Sequence, residues 1–402
     1  MITMKKMIPT LLAVSLALAT SPLMAAESVV IKPLRNTPAG FIKGADISTL
    51  LEVERQGAVF YDENHQRADP IVVLKKNGVN YIRLRLWVDP KDAAGNPYGG
   101  GDNDLATTLV LAKRAKAQGM KLLLDFHYSD FWTDPGKQFK PKAWANLPYE
   151  ALKTAVHDYT RDTIARFKRE GVLPDMVQIG NEANGGILWP EGKSWGQGGG
   201  EFDRLAGLLN AAIAGLRENL SSPGQVKIML HLAEGTKNDT FRWWFDEITR
   251  RGVPFDVIGL SMYTYWNGPI SALKTNMDDI SQRYNKDVIV VEAAYGYTLA
   301  NCDNAENSFG AKEAKDGGYP ATVQGQADFM RDLMQSVIDV PSQRGKGVFY
   351  WEPAWITVPG NTWATQAGMN YINDNWKLGN ARENQALFNC QGEVLPSIKI
   401  FK

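Results

Sequence analysis

The sequence predicts an α/β fold, a (β/α)8 TIM barrel with enlarged loops at its C-terminal face. Three observations carry that expectation. Eight short, apolar, β-branched runs recur along the chain. Segments of helical period separate them. The long insertions follow the runs at one end only.

The elements fall in order. Residues 41–47 and 79–88 read as the first two strands. In the second, Arg83 and Arg85 alternate with apolar residues and so point to one face. Residues 105–118 carry apolar side chains at helical spacing and stop at Gly119. Strand 121–127 is followed by helix 149–170, ended by Gly171. Strand 176–181 precedes helix 202–220, strand 226–232 precedes helix 239–251, and strand 257–263 precedes helix 270–284. Strand 288–292, helix 322–338 and strand 347–351 complete the set. A doubly wound open sheet is the other fold such alternation allows. Against it, no G-x-G-x-x-G follows the first strand and no Walker A loop occurs. The insertions 128–148, 182–200, 293–321 and 352–382 follow strands three, four, seven and eight, whereas returns such as 252–256 are short. Barrel active sites are built on loops at that carboxyl end.

Residues 1–26 read as a secretory signal peptide: Lys5-Lys6, an uncharged apolar stretch, a break at Ser21-Pro22 and small residues at Ala25-Ala26. Residues 27–402 are then a single catalytic domain, exported to the periplasm or the medium, with no membrane insertion after cleavage. The 44 Lys+Arg balance 44 Asp+Glu, which gives no broad electrostatic footprint for nucleic acid. Twelve Trp are an excess, and aromatic faces stack on the C–H faces of sugar rings, although core packing takes most such rings. In an exported chain the two cysteines, Cys302 and Cys390, suggest one disulfide. The four histidines lack metal-ligand spacing, so no zinc site is expected.

Two glutamates close buried strands: Glu182 after Met176-Val177-Gln178-Ile179-Gly180-Asn181, and Glu292 after Val288-Ile289-Val290-Val291. Two carboxylates facing one cavity are the minimal equipment for cleaving a glycosidic bond. Glu352, at the end of strand eight, is a third candidate. Asn181 beside Glu182 offers an amide to a sugar hydroxyl. Tyr263 is a candidate donor to Glu292, and either Arg83 or Arg85 a candidate ion-pair partner. Asp125 and His127 share strand parity in a dense polar and aromatic run, and Trp351 is a candidate sugar platform in the run that ends at Trp355. No Gly-x-Ser-x-Gly elbow is present, which disfavours serine hydrolase chemistry.

The ordered motifs DFHYSDFWTDPG (125–136), GNEANGG (180–186), VVEAAYGYT (290–298) and FYWEPAW (349–355) resemble the family 53 glycoside hydrolases, arabinogalactan endo-β-1,4-galactanases. The resemblance runs from about Gly44 to Leu395. It implies hydrolysis of (arabino)galactan by a retaining double displacement, with Glu182 as proton donor and base and Glu292 as nucleophile. The two carboxyls are then expected roughly 5–5.5 Å apart. It demotes Glu352 to a subsite or structural role and marks Arg85, His127, Asn181, Tyr263 and Trp351 as lining positions; Asp125 and Trp355, from the runs they stand in, complete the expected substrate-binding set. The reaction it implies needs no cofactor. Some bacterial members hold a structural calcium ion in the loop after strand seven. Asn301, Asp303 and Asn307 stand at ligand positions there, with Ala305 where such relatives carry His. A Cys302–Cys390 disulfide is the alternative anchor for that loop. Other glycanases of the clan (a mannanase or a xylanase) and a non-catalytic sugar-binding barrel are the competing functions.

Overall fold

The computed structural model describes residues 28–402. The expected signal peptide lies outside the described residues. Eight parallel strands close into a barrel: β1 (Ile42–Asp46), β2 (Tyr81–Leu86), β3 (Lys121–Phe126), β4 (Met176–Ile179), β5 (Lys227–Leu232), β6 (Val257–Ser261), β7 (Asp287–Ala293) and β8 (Gly345–Trp351). Each pairs with its sequence neighbours, and β8 closes on β1 through Ile42–Gly347 to Asp46–Trp351. The intervening helices include α1 (Pro70–Lys76), α2 (Leu105–Ala117), α3 (Tyr149–Arg169), α4 (Glu201–Arg217), α5 (Asn238–Arg250), α6 (Ile270–Arg283) and α7 (Val323–Ile338).

Local chemistry explains the helix boundaries. Asp69, Asp104 and Thr322 cap α1, α2 and α7 by accepting backbone N–H groups of the first turn, and Pro70 supplies a preset φ at the start of α1. Gly119 and Gly171 adopt the left-handed conformation just past α2 and α3, as their positions predicted. After β8 a 3₁₀ segment, Pro396–Phe401, takes the eighth helical place between α7 and the end of α1, with Ile398, Ile400 and Phe401 buried. The helices Leu50–Arg55, Thr264–Asn267, Ala311–Gly317 and Gln366–Ile372, and α1 itself, were not anticipated. Each runs for two turns or fewer, too short for a 3.6-residue period to declare itself. Among the described residues no helix is long and apolar enough to cross a membrane.

The lumen has two levels, set by strand alternation. Toward the amino ends, Ile42, Tyr81, Leu123, Met176, Met229, Val257, Ile289, Val291 and Phe349 form a closed apolar cluster. Gly44 faces the Phe349 ring so closely that a Cβ there would lie 2.2 Å from it, so the ring fits only because the side chain is absent. One pleat higher on the same strand faces stand Asp46, Arg83, Asp125, Gln178, His231 and Ser261, all buried.

Glu292 joins this polar level by a different route. Strict alternation from Ile289 and Val291 would aim it outward. Strand β7 carries an extra residue there: Leu260 and Ser261 of β6 pair with Val290 and Glu292, and Val348 and Tyr350 of β8 pair with Val290 and Ala293. This β-bulge breaks the alternation and re-aims the carboxylate into the barrel, as bulges beside active sites commonly do.

Candidate active site

Arg83 organises the polar level. Its guanidinium lies 2.9 Å from Asp46, 2.8 Å from Asp125 and 2.9 Å from Glu292, and its Nε donates to Gln178 at 3.2 Å. It also donates to the Asn181 side-chain oxygen at 2.9 Å. Burial works against a charge here, but Asp125, Glu292 and Asp46 outweigh it and raise the Arg83 pKa. Removing any one partner would strand a buried charge.

Glu292 is 7% exposed and takes two strong contacts, the Arg83 ion pair and a hydrogen bond from the Tyr263 hydroxyl at 3.1 Å. Burial pushes its carboxyl pKa up, Arg83 pulls it down, and Asp46 and Asp125 push it up again. Glu182 sits on the turn leaving β4 at φ 48°, ψ 49°, a left-handed conformation that costs a glutamate about 1–3 kcal/mol. Its carboxylate accepts from Ser261 Oγ at 2.6 Å. Ser261 in turn lies 2.8 Å from His231 Nε2, and the backbone N–H of Glu182 points to His231 Nδ1 at 3.4 Å. Burial and the charge of Arg83 hold the His231 pKa well below the ordinary value, so the ring is neutral. Because Nδ1 accepts the Glu182 N–H, Nε2 carries the proton and donates to Ser261, which donates to Glu182. Burial and the charge of Glu292 raise the Glu182 pKa to about 8. Both carboxyls are pushed up, but only Glu292 touches a cation. A proton shared by the pair therefore rests on Glu182.

The other predicted residues divide. His127 Nε2 meets Asp125 at 3.0 Å, and its Nδ1 accepts from the Trp87 indole at 3.1 Å. Asn181 donates to the Thr133 carbonyl at 2.9 Å and is nearly buried. Trp351 keeps a partly open face, with Arg382 stacked 5.4 Å from its ring and 4.9 Å from that of Trp266. Three further positions read as substrate-binding are buried and engaged within the protein. Arg85 is 1% exposed, pairs with Glu352 at 2.5 Å and stacks on Trp132, because the loop after β2 folds over it and accepts its second N–H at Gly100. Asp125 is spent on Arg83, Gln178 and His127. Trp355 lies beneath Trp132 and Trp351 with its indole N–H bound to Asn361. Glu352 is enclosed by Arg85 and Thr49, which keeps it from the cleft. Sequence reasoning missed Asp46, Gln178, His231, Ser261 and Arg382. The first four carry a readable signal, a polar residue at an inward position of an otherwise apolar strand.

In the loop after β7, the oxygens of the predicted cation ligands Asn301 and Asp303 accept from other partners, whereas Asn307 engages only its amide nitrogen. Asp303 accepts the backbone N–H groups of Ala305 and Asn380 at 2.7 and 2.8 Å. Asn301 Oδ1 accepts from the Asn307 amide at 2.5 Å, which also donates to Glu383 at 2.9 Å. Calcium takes six to eight oxygens. Ala305 supplies none, whereas Asn307 Oδ1 and Glu383 Oε2 are buried without a hydrogen-bond partner among the described residues. Cys302 is bonded to Cys390, with Cα atoms 6.0 Å apart.

A closed parallel barrel whose mouth holds two glutamates in unlike electrostatic surroundings defines the class of barrel glycoside hydrolases. The chain belongs to glycosyl hydrolase family 53, which it matches over residues 42–401. It is similar to an endo-β-1,4-galactanase of Bacillus subtilis, 37% identical over 94% of this chain and 89% of that one. An arabinogalactan endo-β-1,4-galactanase of Cellvibrio japonicus is 36% identical over 94% of this chain and 96% of its own length. Among solved structures, the Ignisphaera aggregans family 53 catalytic domain superposes with a TM-score of 0.87 at 42% identity, covering 93% of this chain and 99% of that one.

Proposed function

We propose that the protein is an exported endo-β-1,4-galactanase that works by retention. The observation that carries the chemistry is the contrast between the two glutamates. Glu292, held by Arg83 and Tyr263, is the anionic nucleophile toward the anomeric carbon. Glu182, bonded only to a neutral hydroxyl, is the acid that protonates the leaving oxygen. In the first step the Glu292 oxygen bonds to the anomeric carbon as the glycosidic bond breaks and the Glu182 proton moves to the departing chain. In the second, Glu182 takes a proton from water, whose oxygen displaces Glu292 and regenerates the carboxylate. As the pair alternates charge, Arg83 and the His231–Ser261 relay stabilise the ionised form of each carboxylate.

Galactan as substrate rests on the family and on the activities named for the relatives. His127, Asn181, Tyr263 and Trp351 are read as the lining that touches the sugar, and Trp266 and Arg382 extend that wall. The disulfide supports an oxidising compartment and hence export. The test is release of reducing ends from β-1,4-galactan, mannan, xylan and glucan side by side, with proton NMR of the first-formed anomer. Galactan as the preferred polymer and a β-configured first product are expected. Preference for mannan or xylan, or an inverted product, refutes the reading. Glu292→Ala is expected to abolish release from galactan, and activity comparable to the parent would remove its role as nucleophile.

A further inference from the structure

Beyond the cleft, a groove of about 400 Å³ runs over the outer face of the barrel between the loop after β4 and helix α5. Trp195 and Trp243 line it together with Phe202, Glu247 and Arg251. We propose that this groove binds the leaving-group half of a long polysaccharide chain, with the two tryptophans as its platforms. The inference rests on the galactanase reading above.

Three observations support it. First, the tryptophans are exposed yet fixed. Trp195 is 53% exposed and Trp243 is 44% exposed, more than most side chains of their size. Trp243 is braced edge-on by Phe202 at 5.1 Å, and Trp195 by Trp189 at 6.2 Å with Lys193 over its ring at 4.5 Å. Rings already held in place lose little entropy on binding. Second, the polar rim is neutralised. Arg251 is paired with Asp203 at 2.5 Å and with Glu247. A guanidinium so engaged does not select an anion, whereas fixed donors and acceptors beside aromatic faces suit a neutral polyhydroxylated chain. Third, the groove is continuous with the proton donor's own loop. Ser194 donates its N–H to Gly185 at 3.0 Å and its hydroxyl to Asn184 at 2.7 Å, which ties Trp195 to the turn that follows Glu182. Gly185 lets the rings close on that turn: a Cβ there would lie 2.7 Å from Trp189 and 3.4 Å from Trp195. The acid delivers its proton to the leaving oxygen, so the departing half of the chain lies on the Glu182 side, the side on which the groove begins.

The test compares the parent with Trp243→Ala and Trp243→Leu, the second of which keeps apolar packing on Phe202 without an aromatic face. Binding lost equally in ground and transition states raises KM and spares kcat. On polymeric galactan both variants are expected to raise KM about three- to tenfold with kcat kept. On β-1,4-galactotetraose their kcat/KM should stay within about twofold of the parent. In native gels cast with galactan, both should be retarded less than the parent. An unchanged polymer KM for both variants overturns the inference. So does an equal loss on the tetraose, which would place the effect in the cleft. A concentration-dependent dimer in sedimentation that both substitutions abolish would assign the groove to a second copy of the chain and overturn it as well. If the parent releases nothing from galactan but cleaves another panel polymer, the galactanase reading fails, and the same variants are read on that polymer and its tetramer.

Discussion

At the scale of single residues, the site works by giving two identical carboxyl groups different neighbours. Glu182 acts protonated, so kcat/KM should fall as pH rises through about 8, where its proton is lost. Glu292 acts ionised. Its raised pKa should place the acid limb above the ordinary carboxylate range, with activity lost as pH falls through it. Glu182→Gln should lower kcat about 10²–10⁴-fold on galactan, the usual worth of a general acid. Ser261 sharpens this. Its hydrogen bond lowers the Glu182 pKa, so Ser261→Ala should move the alkaline limb to higher pH, read from the pH dependence of kcat/KM. An alkaline limb that stays put would remove Ser261 from the control of that proton. Much of this was legible beforehand. A glutamate at the end of each of two buried strands is visible in the sequence, and so is a tyrosine near one of them. Which of two arginines, one residue apart in pleat, reaches Glu292 was not legible. Arg83 and Arg85 share a face, and only the height at which β2 sits in the barrel separates the catalytic partner from the support of Glu352.

At the scale of elements, all eight strands stand within a few residues of their predicted positions, because buried parallel strands leave short, largely apolar runs between helical segments. The loops were the illegible part. The stretch after β2 packs Gly100 against Trp132 and covers Arg85, a closure that depends on contacts distant in sequence. The loop after β7 is tied down by the Cys302–Cys390 bond across 88 residues. Cys302→Ser with Cys390→Ser should therefore cost about 2–4 kcal/mol of stability in denaturant unfolding. The chelator EDTA should leave the thermal midpoint of the parent unmoved. The reverse pattern, a stable double variant and a chelator-sensitive parent, would show that a cation holds the loop.

At the scale of the whole molecule, an uneven set of carboxyls sets how stability responds to pH. Burial raises Glu52 and Glu383 to about 7 and Glu182 to about 8. Unfolded glutamates titrate near 4.3, so between that value and about 7–8 the folded chain binds more protons than the unfolded one, and stability falls as pH rises. Asp279, lowered to about 2 chiefly by its hydrogen bond from Arg242, works the other way and contributes stability that is lost as pH falls through that value. The thermal midpoint should therefore peak near about pH 5 and decline toward pH 8, a trend readable by calorimetry. A midpoint that rises from pH 5 to 8 would contradict the buried, protonated glutamates. The fold class was legible at this scale because eight alternating units admit few closures. The lumen's division into an apolar floor and a charged storey emerges only when the strands are placed side by side. The extra residue in β7 bears on anyone splicing this barrel with another. Whether Glu292 arrives inside depends on an odd or even count of residues from the seam, not on how alike the spliced segments look. A seam off by one would drive an unpaired carboxylate under the helical layer, and the chimera should be lost as insoluble protein before its activity could be assayed.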